Sequence, residues 1–138
     1  MLEKMKLADL AALDGAISNV RLKLVEYQRN LARDRNVVLE GRDIGTVVFP
    51  NADYKFYLIA NIEVRANRRK KEMELLGENL SIEKIIVYLQ DRDNKDSLRK
   101  NSPLMKAEDA IELDTTNLTI DEQVSHIISI VNNNQTGA

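Results

Sequence analysis

The chain has 138 residues, 43% of them hydrophobic and 30% charged, with a formal net charge of -2. That length supports one domain with a real core, and the composition excludes a disordered chain. The lack of cysteine excludes disulfides and thiolate metal sites, and the near-neutral charge gives no electrostatic reason to expect nucleic acid. No apolar run is long enough to span a bilayer, and Met1 to Asp14 carries no signal-peptide pattern, so a cytoplasmic protein without a membrane partner is expected. The single histidine, His126, has no second histidine with which to build a metal cluster or a catalytic pair.

Met1 to Leu13 is helix-prone, and Asp14-Gly15 marks a break. A helix is predicted from Ser18 to Arg33, with Val20, Leu24, Tyr27, Gln28 and Leu31 as its buried stripe. Arg21 falls beside that stripe, where it either borders a cleft or is solvated, the second being the default for an arginine. Asn36 to Leu39 reads as a buried strand that stops in Glu40-Gly41-Arg42-Asp43-Ile44-Gly45-Thr46. In an open parallel sheet, ligands bind beyond the carboxyl ends of the strands, so this turn points a guanidinium and a carboxylate at such a site. Gly41 and Gly45 are expected to supply unusual backbone angles or a close approach. The alternative is a turn with a surface ion pair.

Thr46-Val47-Val48-Phe49-Pro50 leads to a turn at Asn51-Ala52-Asp53, and Tyr54 to Ala60 is too aromatic and β-branched for a helix and reads as a strand. Ile62 to Leu76 is a basic helix closed by Gly77, and Ser81 caps a helix from Ile82 to about Arg99. Its apolar face, Ile82, Ile85, Ile86 and Leu89, continues by steps of three and four into Arg92, Asp96 and Arg99. A face that turns from aliphatic to paired charges points into a cleft; the alternative is an ordinary Arg92–Asp96 surface pair. Ala110 to Asp114 is a short strand. Thr119-Ile120-Asp121-Glu122 is a capping box that opens a last helix, packed through Val124, Ile127, Ile128 and Val131. His126 lies off that stripe, and the polar tail from Asn132 to Ala138 is expected to fray.

The order helix, strand, strand, helix, helix, strand, helix argues for an α/β layer with a parallel sheet. Arginine matches phosphate oxygens in pairs, and carboxylates suit a base amine or a ribose hydroxyl. Arginines plus Asp43 and Asp96 in one cleft therefore suit a nucleotide.

Glu40-Gly41-Arg42-Asp43-Ile44-Gly45-Thr46-Val47-Val48-Phe49-Pro50 closely resembles a signature of bacterial cytidylate kinase. So do Arg92-Asp93-x-x-Asp96-Ser97-x-Arg99-x-x-Ser102-Pro103-Leu104, Ala107-Glu108-Asp109-Ala110 and Asp114-Thr115-Thr116, as well as the spacing from Arg21 to Arg42. The resemblance runs from about Val20 to Val131. It implies a nucleoside monophosphate kinase in which ATP, with Mg²⁺, phosphorylates CMP or dCMP.

Under the resemblance Arg21 and Asp43 look like cytosine-pocket residues, and Arg42 and Arg99 like ligands of the acceptor phosphate. Arg92 and Asp96 look like ribose or phosphate contacts. Arg42, Asp43 and Arg99 are the candidate catalytic residues. The helical pair from Ile62 to Arg99 resembles a lid, in which Arg65, Arg68 and Arg69 would cover the ATP phosphates. No metal ligand is assigned.

The chain departs from the family's pattern in one large respect. The family opens with a strand and a Gly-x-x-x-x-Gly-Lys-Ser/Thr phosphate loop, and no Gly-Lys-Ser/Thr occurs in these 138 residues. Ala12 and Ser18 stand where the family usually has serine and proline.

The expected fold is thus α/β, a partial P-loop-kinase-like parallel sheet with flanking helices and a helical lid, its first, central strand absent. The chain is read as one partial kinase domain, 1–138. Within it, 1–35 is the end of the monophosphate-binding region and a connecting helix, 36–61 the core strands, 62–99 the lid-like pair, and 100–138 the last strand and helix. Three readings are open. The chain is inactive alone and needs a complementing N-terminal segment, or it is a non-catalytic CMP-binding module, or it is a self-associating structural module.

Overall fold

A computed structural model describes residues 18–99 and 103–135. The helix expected over Met1 to Leu13, and its end at Asp14-Gly15, lie outside the described residues. The described elements are α1 (Ser18–Ala32), a π-helical turn (Ile44–Val48), β1 (Phe56–Ile59), α2 (Ile62–Leu75), α3 (Ile82–Ser97), β2 (Ile111–Asp114) and α4 (Ile120–Gln135). The architecture is α/β: β1 and β2 form a parallel two-stranded sheet flanked by helices. The described chain divides into two units. One runs up to Ala52 and adds Asp93–Ala107; the other comprises Asp53–Arg92 and Glu108 onward.

The second unit holds the sheet. Phe56 pairs with Ile111 and Ile59 with Asp114 in register. The Ile111 N–H donates to the Lys55 carbonyl and the Thr115 N–H to the Ile59 carbonyl, both at 2.8 Å. In a parallel ladder alternate residues face alternate edges. The backbone groups of Phe56 and Leu58 therefore face the edge of β1 away from β2, and among the described residues no strand pairs there.

The core of this unit lies between α2 and α3. Ala66, Ile85 and Leu89 are buried, with Ile62, Met73, Ile82 and Ile86 packed around them. The apolar face predicted for α3 is the one that is buried. Asn61 caps α2, its side chain accepting from the N–H groups of Glu63 and Val64 at 3.1 and 3.2 Å. Gly77, at φ +82°, ends it. The Glu78 N–H returns to the Met73 carbonyl at 2.9 Å and the Gly77 N–H to the Glu74 carbonyl at 3.1 Å. This is the glycine-ended hydrogen-bond pattern that closes many helices.

The capping box of α4 forms as predicted. The Thr119 N–H donates to Glu122 Oε2 at 2.7 Å, and the Glu122 N–H to Thr119 Oγ1 at 3.2 Å. The backbone N–H of Thr119 holds the Glu122 carboxyl below its ordinary range. Lys55, its side chain buried, donates to Asp109 at 2.8 Å and lowers that carboxyl in the same way.

Several expectations change. Asn36 to Leu39 is not a strand: it is irregular and exposed. Its apolar run sets a side-chain preference, but a strand exists only where a neighbour takes its backbone groups, and no described strand pairs with it. On α4 the packed side is Ile127, Ile130 and Val131, while Ile120, Val124 and Ile128 lie exposed in a row. The helix also continues through Asn132 to Gln135 instead of fraying there. On α1 the packed side runs through Arg21, Leu24, Val25 and Gln28, leaving Tyr27 and Leu31 exposed.

This packing sets two expected outcomes. Truncating Ile85 to alanine, in the α2–α3 core, costs about 2–5 kcal/mol of unfolding free energy in a urea titration. For Glu122 the sign is that of a carboxyl lowered by folding. Its contribution is complete above its unfolded pKa and is lost as pH falls through the lower folded value. Circular dichroism from neutral to acid pH should show wild type losing more helix than Glu122→Gln, each compared with its own neutral value.

Candidate functional site

The site is built in the first unit around two adjacent residues, Arg42 and Asp43. They sit where the chain enters the π-helical turn. The Asp43 carbonyl accepts from the N–H groups of both Val47 and Val48, at 2.9 and 3.2 Å, and the Ile44 carbonyl accepts from Phe49 at 2.7 Å. These i+4 and i+5 bonds wind residues 44–48 into one wide turn, and such turns occur frequently at functional sites. Val48 is buried beneath it, at 1% exposure.

Neither Gly41 nor Gly45 has a positive φ; among the described glycines only Gly77 does. At Gly41 the close approach is to the Ile44 side chain. A Cβ there would lie 2.9 Å from Ile44 Cγ1.

Each member of the Arg42–Asp43 pair is held by an ion pair from a different helix. Asp43, buried at 7%, pairs with Arg21 of α1. Arg42 donates through Nε to Asp96 near the end of α3. The Arg21 and Asp96 side chains are each 13% exposed, and that of Arg42 is 37% exposed. Arg21 is thus on the packed face of α1 and not solvated, contrary to what its place beside the apolar stripe suggests. The carboxylate of Asp43 draws the guanidinium inward.

Asp96 is fixed in turn, because its carbonyl accepts from the Leu104 N–H at 2.9 Å. Arg99 lies two residues beyond α3 in the same unit and is half-buried. Two ion pairs are therefore anchored on consecutive residues of one turn, each to a different helix. A guanidinium has five N–H donors and no acceptor, and Arg42 commits its Nε to Asp96. The chemistry offered is bidentate recognition of an oxyanion by arginine beside carboxylates that accept from amine or hydroxyl groups.

The other predicted residues lie elsewhere. Arg92 is exposed on α3, four residues before Asp96, and groups with the second unit. Arg65 and Arg68 are half-buried on α2, and Arg69 is exposed and pairs with Glu72 at 3.1 Å. Arg68 donates to the Thr115 hydroxyl at 3.1 Å and to the Thr115 and Leu118 carbonyls at 2.5 and 3.4 Å. It ties α2 to the segment after β2. Among the described residues no group of three histidines, aspartates or glutamates is arranged to hold a metal ion.

Sequence patterns alone do not single out Arg29. It donates to the Val48 and Val47 carbonyls at 2.8 and 2.9 Å. Its one signal is spacing: Arg21, Val25 and Arg29 follow at i, i+4 and i+8 along one side of α1.

Comparison with known proteins decides the family. A profile described as Cytidylate kinase matches residues 1–133. The chain belongs to the cytidylate kinase family. It is 43% identical over 128 residues to a cytidylate kinase of Flavobacterium psychrophilum, covering 93% of this chain and 57% of the relative. It is 48% identical over 116 residues to one of Clostridioides difficile, covering 84% and 54%. A cytidylate kinase of Fusobacterium nucleatum is 49% identical over 113 residues, covering 82% and 52%. The chain spans about half the length of the curated relatives it matches. No described helix is long and apolar enough to cross a membrane.

The pairing makes a prediction about stability. Removing one partner of an inward-facing pair leaves the other charge uncompensated, so Asp43→Ala should cost about 3–5 kcal/mol in urea unfolding. The apolar double replacement Arg21→Met with Asp43→Leu should recover most of that loss. A cost under about 1 kcal/mol for Asp43→Ala would mark the pair as no more than a surface contact.

Proposed function

We propose that the first unit is the acceptor site of a cytidylate kinase, binding CMP or dCMP, and that this chain alone does not complete phosphoryl transfer. What supports the reading is that Arg42 and Asp43, consecutive on one turn, are each held by an ion pair, to Asp96 and to Arg21, within a chain of this family. Arg21 and Asp43 contact the cytosine, whose exocyclic amine and ring acceptor suit a carboxylate and a guanidinium. Arg42 and Arg99 take the monophosphate as paired donors. Asp96 reaches the ribose or the phosphate, and Arg92, a residue of the second unit, keeps that role only as the family resemblance implies it. Arg42 and Arg99 form the reactive side, holding the acceptor oxygen in line and offsetting the negative charge that spreads during transfer, while Asp43, the third catalytic candidate, serves by fixing the base.

Without nucleotide, Asp43 and Asp96 keep the arginines neutralised. A phosphate displaces Asp96 from Arg42, and the freed carboxylate turns to a hydroxyl of the sugar. The α2–α3 pair is the lid, its Arg65, Arg68 and Arg69 facing the donor phosphates. Arg68 must exchange its carbonyl acceptors to do so.

The donor side does not fit ATP with Mg²⁺ in this chain by itself. That grip needs the backbone amides and lysine of a Gly-x-x-x-x-Gly-Lys-Ser/Thr loop, with its hydroxyl on the metal, and the 138 residues contain none. A second segment carrying such a loop, supplied in trans, would complete the kinase, working in the cytoplasm. The alternative is a non-catalytic CMP-binding or self-associating module. It is favoured by the outer edge of β1, where no described strand pairs, and by the sheet face at Leu58, 54% exposed where parallel strands are ordinarily covered on both faces.

Calorimetry tests the acceptor site. CMP should bind the wild-type chain saturably, and Arg42→Ala should weaken binding by about 2 kcal/mol or more, as loss of a charge-assisted contact does. Absence of heat and of any shift in melting temperature at millimolar CMP would overturn the site. Robust CDP formation from ATP and CMP by this chain alone would overturn the inactivity.

A further inference from the structure

We infer that Arg29 is a positioning residue for the Arg42–Asp43 pair, acting through the π-helical turn and not by touching the nucleotide. The inference rests on the acceptor-site reading for its functional half and on geometry alone for its structural half.

A five-residue helical turn leaves its last carbonyls without intrahelical donors. In the turn Ile44–Val48 two of these are Val47 O and Val48 O, and Arg29 supplies both, Nη2 to Val47 and Nε to Val48. The planar fork of arginine suits two neighbouring carbonyls, and a cation is favourable at the negative end of a helical turn. At the other end of the turn stands Asp43. Its carbonyl accepts from Val47 and Val48, whose own carbonyls Arg29 holds, and its carboxylate pairs with Arg21.

One helix therefore grips both ends of the turn through two arginines eight residues apart, about 12 Å along its axis at 1.5 Å per residue. Arg21 takes the side chain at the front, and Arg29 the carbonyls at the back. If the back is released, the i+5 bond from the Val48 N–H to Asp43 O loses the support that selects it over an ordinary α-turn. The direction in which Asp43 and Arg42 leave the backbone then becomes variable. Catalytic and binding side chains need placement to within a fraction of an ångström, so this loss is felt as weaker binding even though Arg29 is not a ligand.

The experiment compares wild type, Arg29→Gln, Arg29→Lys and a control on the exposed side of α1, Lys23→Gln. The first readout is amide hydrogen exchange in the ligand-free chain. Arg29→Gln should lower protection at Val47 and Val48 by about tenfold or more while Ile85 and Leu89 in α3 stay unchanged. Arg29→Lys, reaching one carbonyl, should fall between, and Lys23→Gln should match wild type. Equal protection in Arg29→Gln and wild type overturns the inference, and loss of protection throughout the chain reduces Arg29 to a general stability residue and overturns it too.

The second readout is CMP affinity by calorimetry. Arg29→Gln should bind about tenfold more weakly, with Arg29→Lys recovering part of the loss. Unchanged affinity in Arg29→Gln overturns the positioning role. If wild type itself fails to bind CMP, the acceptor-site reading and this functional half fall together. Hydrogen exchange, which needs no nucleotide, then decides the structural grip by itself.

Discussion

Two ion pairs, anchored on neighbouring residues, give the first unit its form. Arg42 and Asp43 carry opposite charges on consecutive positions, and each is claimed by the opposite charge of a different helix. Taking a carboxylate and a guanidinium largely out of water is unfavourable unless each finds its partner, and then breaking one pair exposes the other member to that full cost. The same arrangement that fixes α1 and the end of α3 to the turn also stores arginines in a neutralised state. On the acceptor-site proposal an anionic ligand takes over such arginines, provided the displaced carboxylates find donors on the same ligand. A nucleoside monophosphate brings both: an anion at one end, and hydroxyl and amine donors along the rest.

The second unit answers a different physical demand. Its core is an aliphatic seam between α2 and α3, and its parallel sheet has only two described strands. A backbone edge without a partner needs water or another strand. Among the described residues the outer edge of β1 is such an edge, and Ile120, Val124 and Ile128 form a separate, exposed apolar row on α4. They belong to a chain that spans about half the length of its matched relatives, which is the sense in which the fold is partial.

The sequence is most legible where structure is local. The capping box at Thr119, the glycine stop at Gly77 and the Ile82–Leu89 face are each specified within a turn or two of helix, and each forms as expected. Non-local features are not legible. Whether Asn36 to Leu39 becomes a strand depends on a neighbour, and no local pattern encodes one. Arg21 looks solvated because hydropathy counts arginine as polar wherever it sits, while its actual position is set by Asp43, 22 residues onward. The π-helical turn gives no periodic signal at five residues, and with it goes Arg29, whose acceptors are backbone carbonyls that no side-chain pattern reveals. On α4 the apolar residues outnumber the places available to bury them, so the pattern names a face wider than the one that packs.

The most direct measurement of the central claim is nitrogen–proton NMR of the arginine Nε–Hε groups, assigned by single substitutions, during a titration with CMP. Saturable shifts are expected at Arg21 and Arg42 with one shared dissociation constant, and none at Arg33, which lies beyond α1 and bonds only Asn30 among its described partners. Shifts that leave Arg21 and Arg42 unmoved while other arginines respond would contradict it.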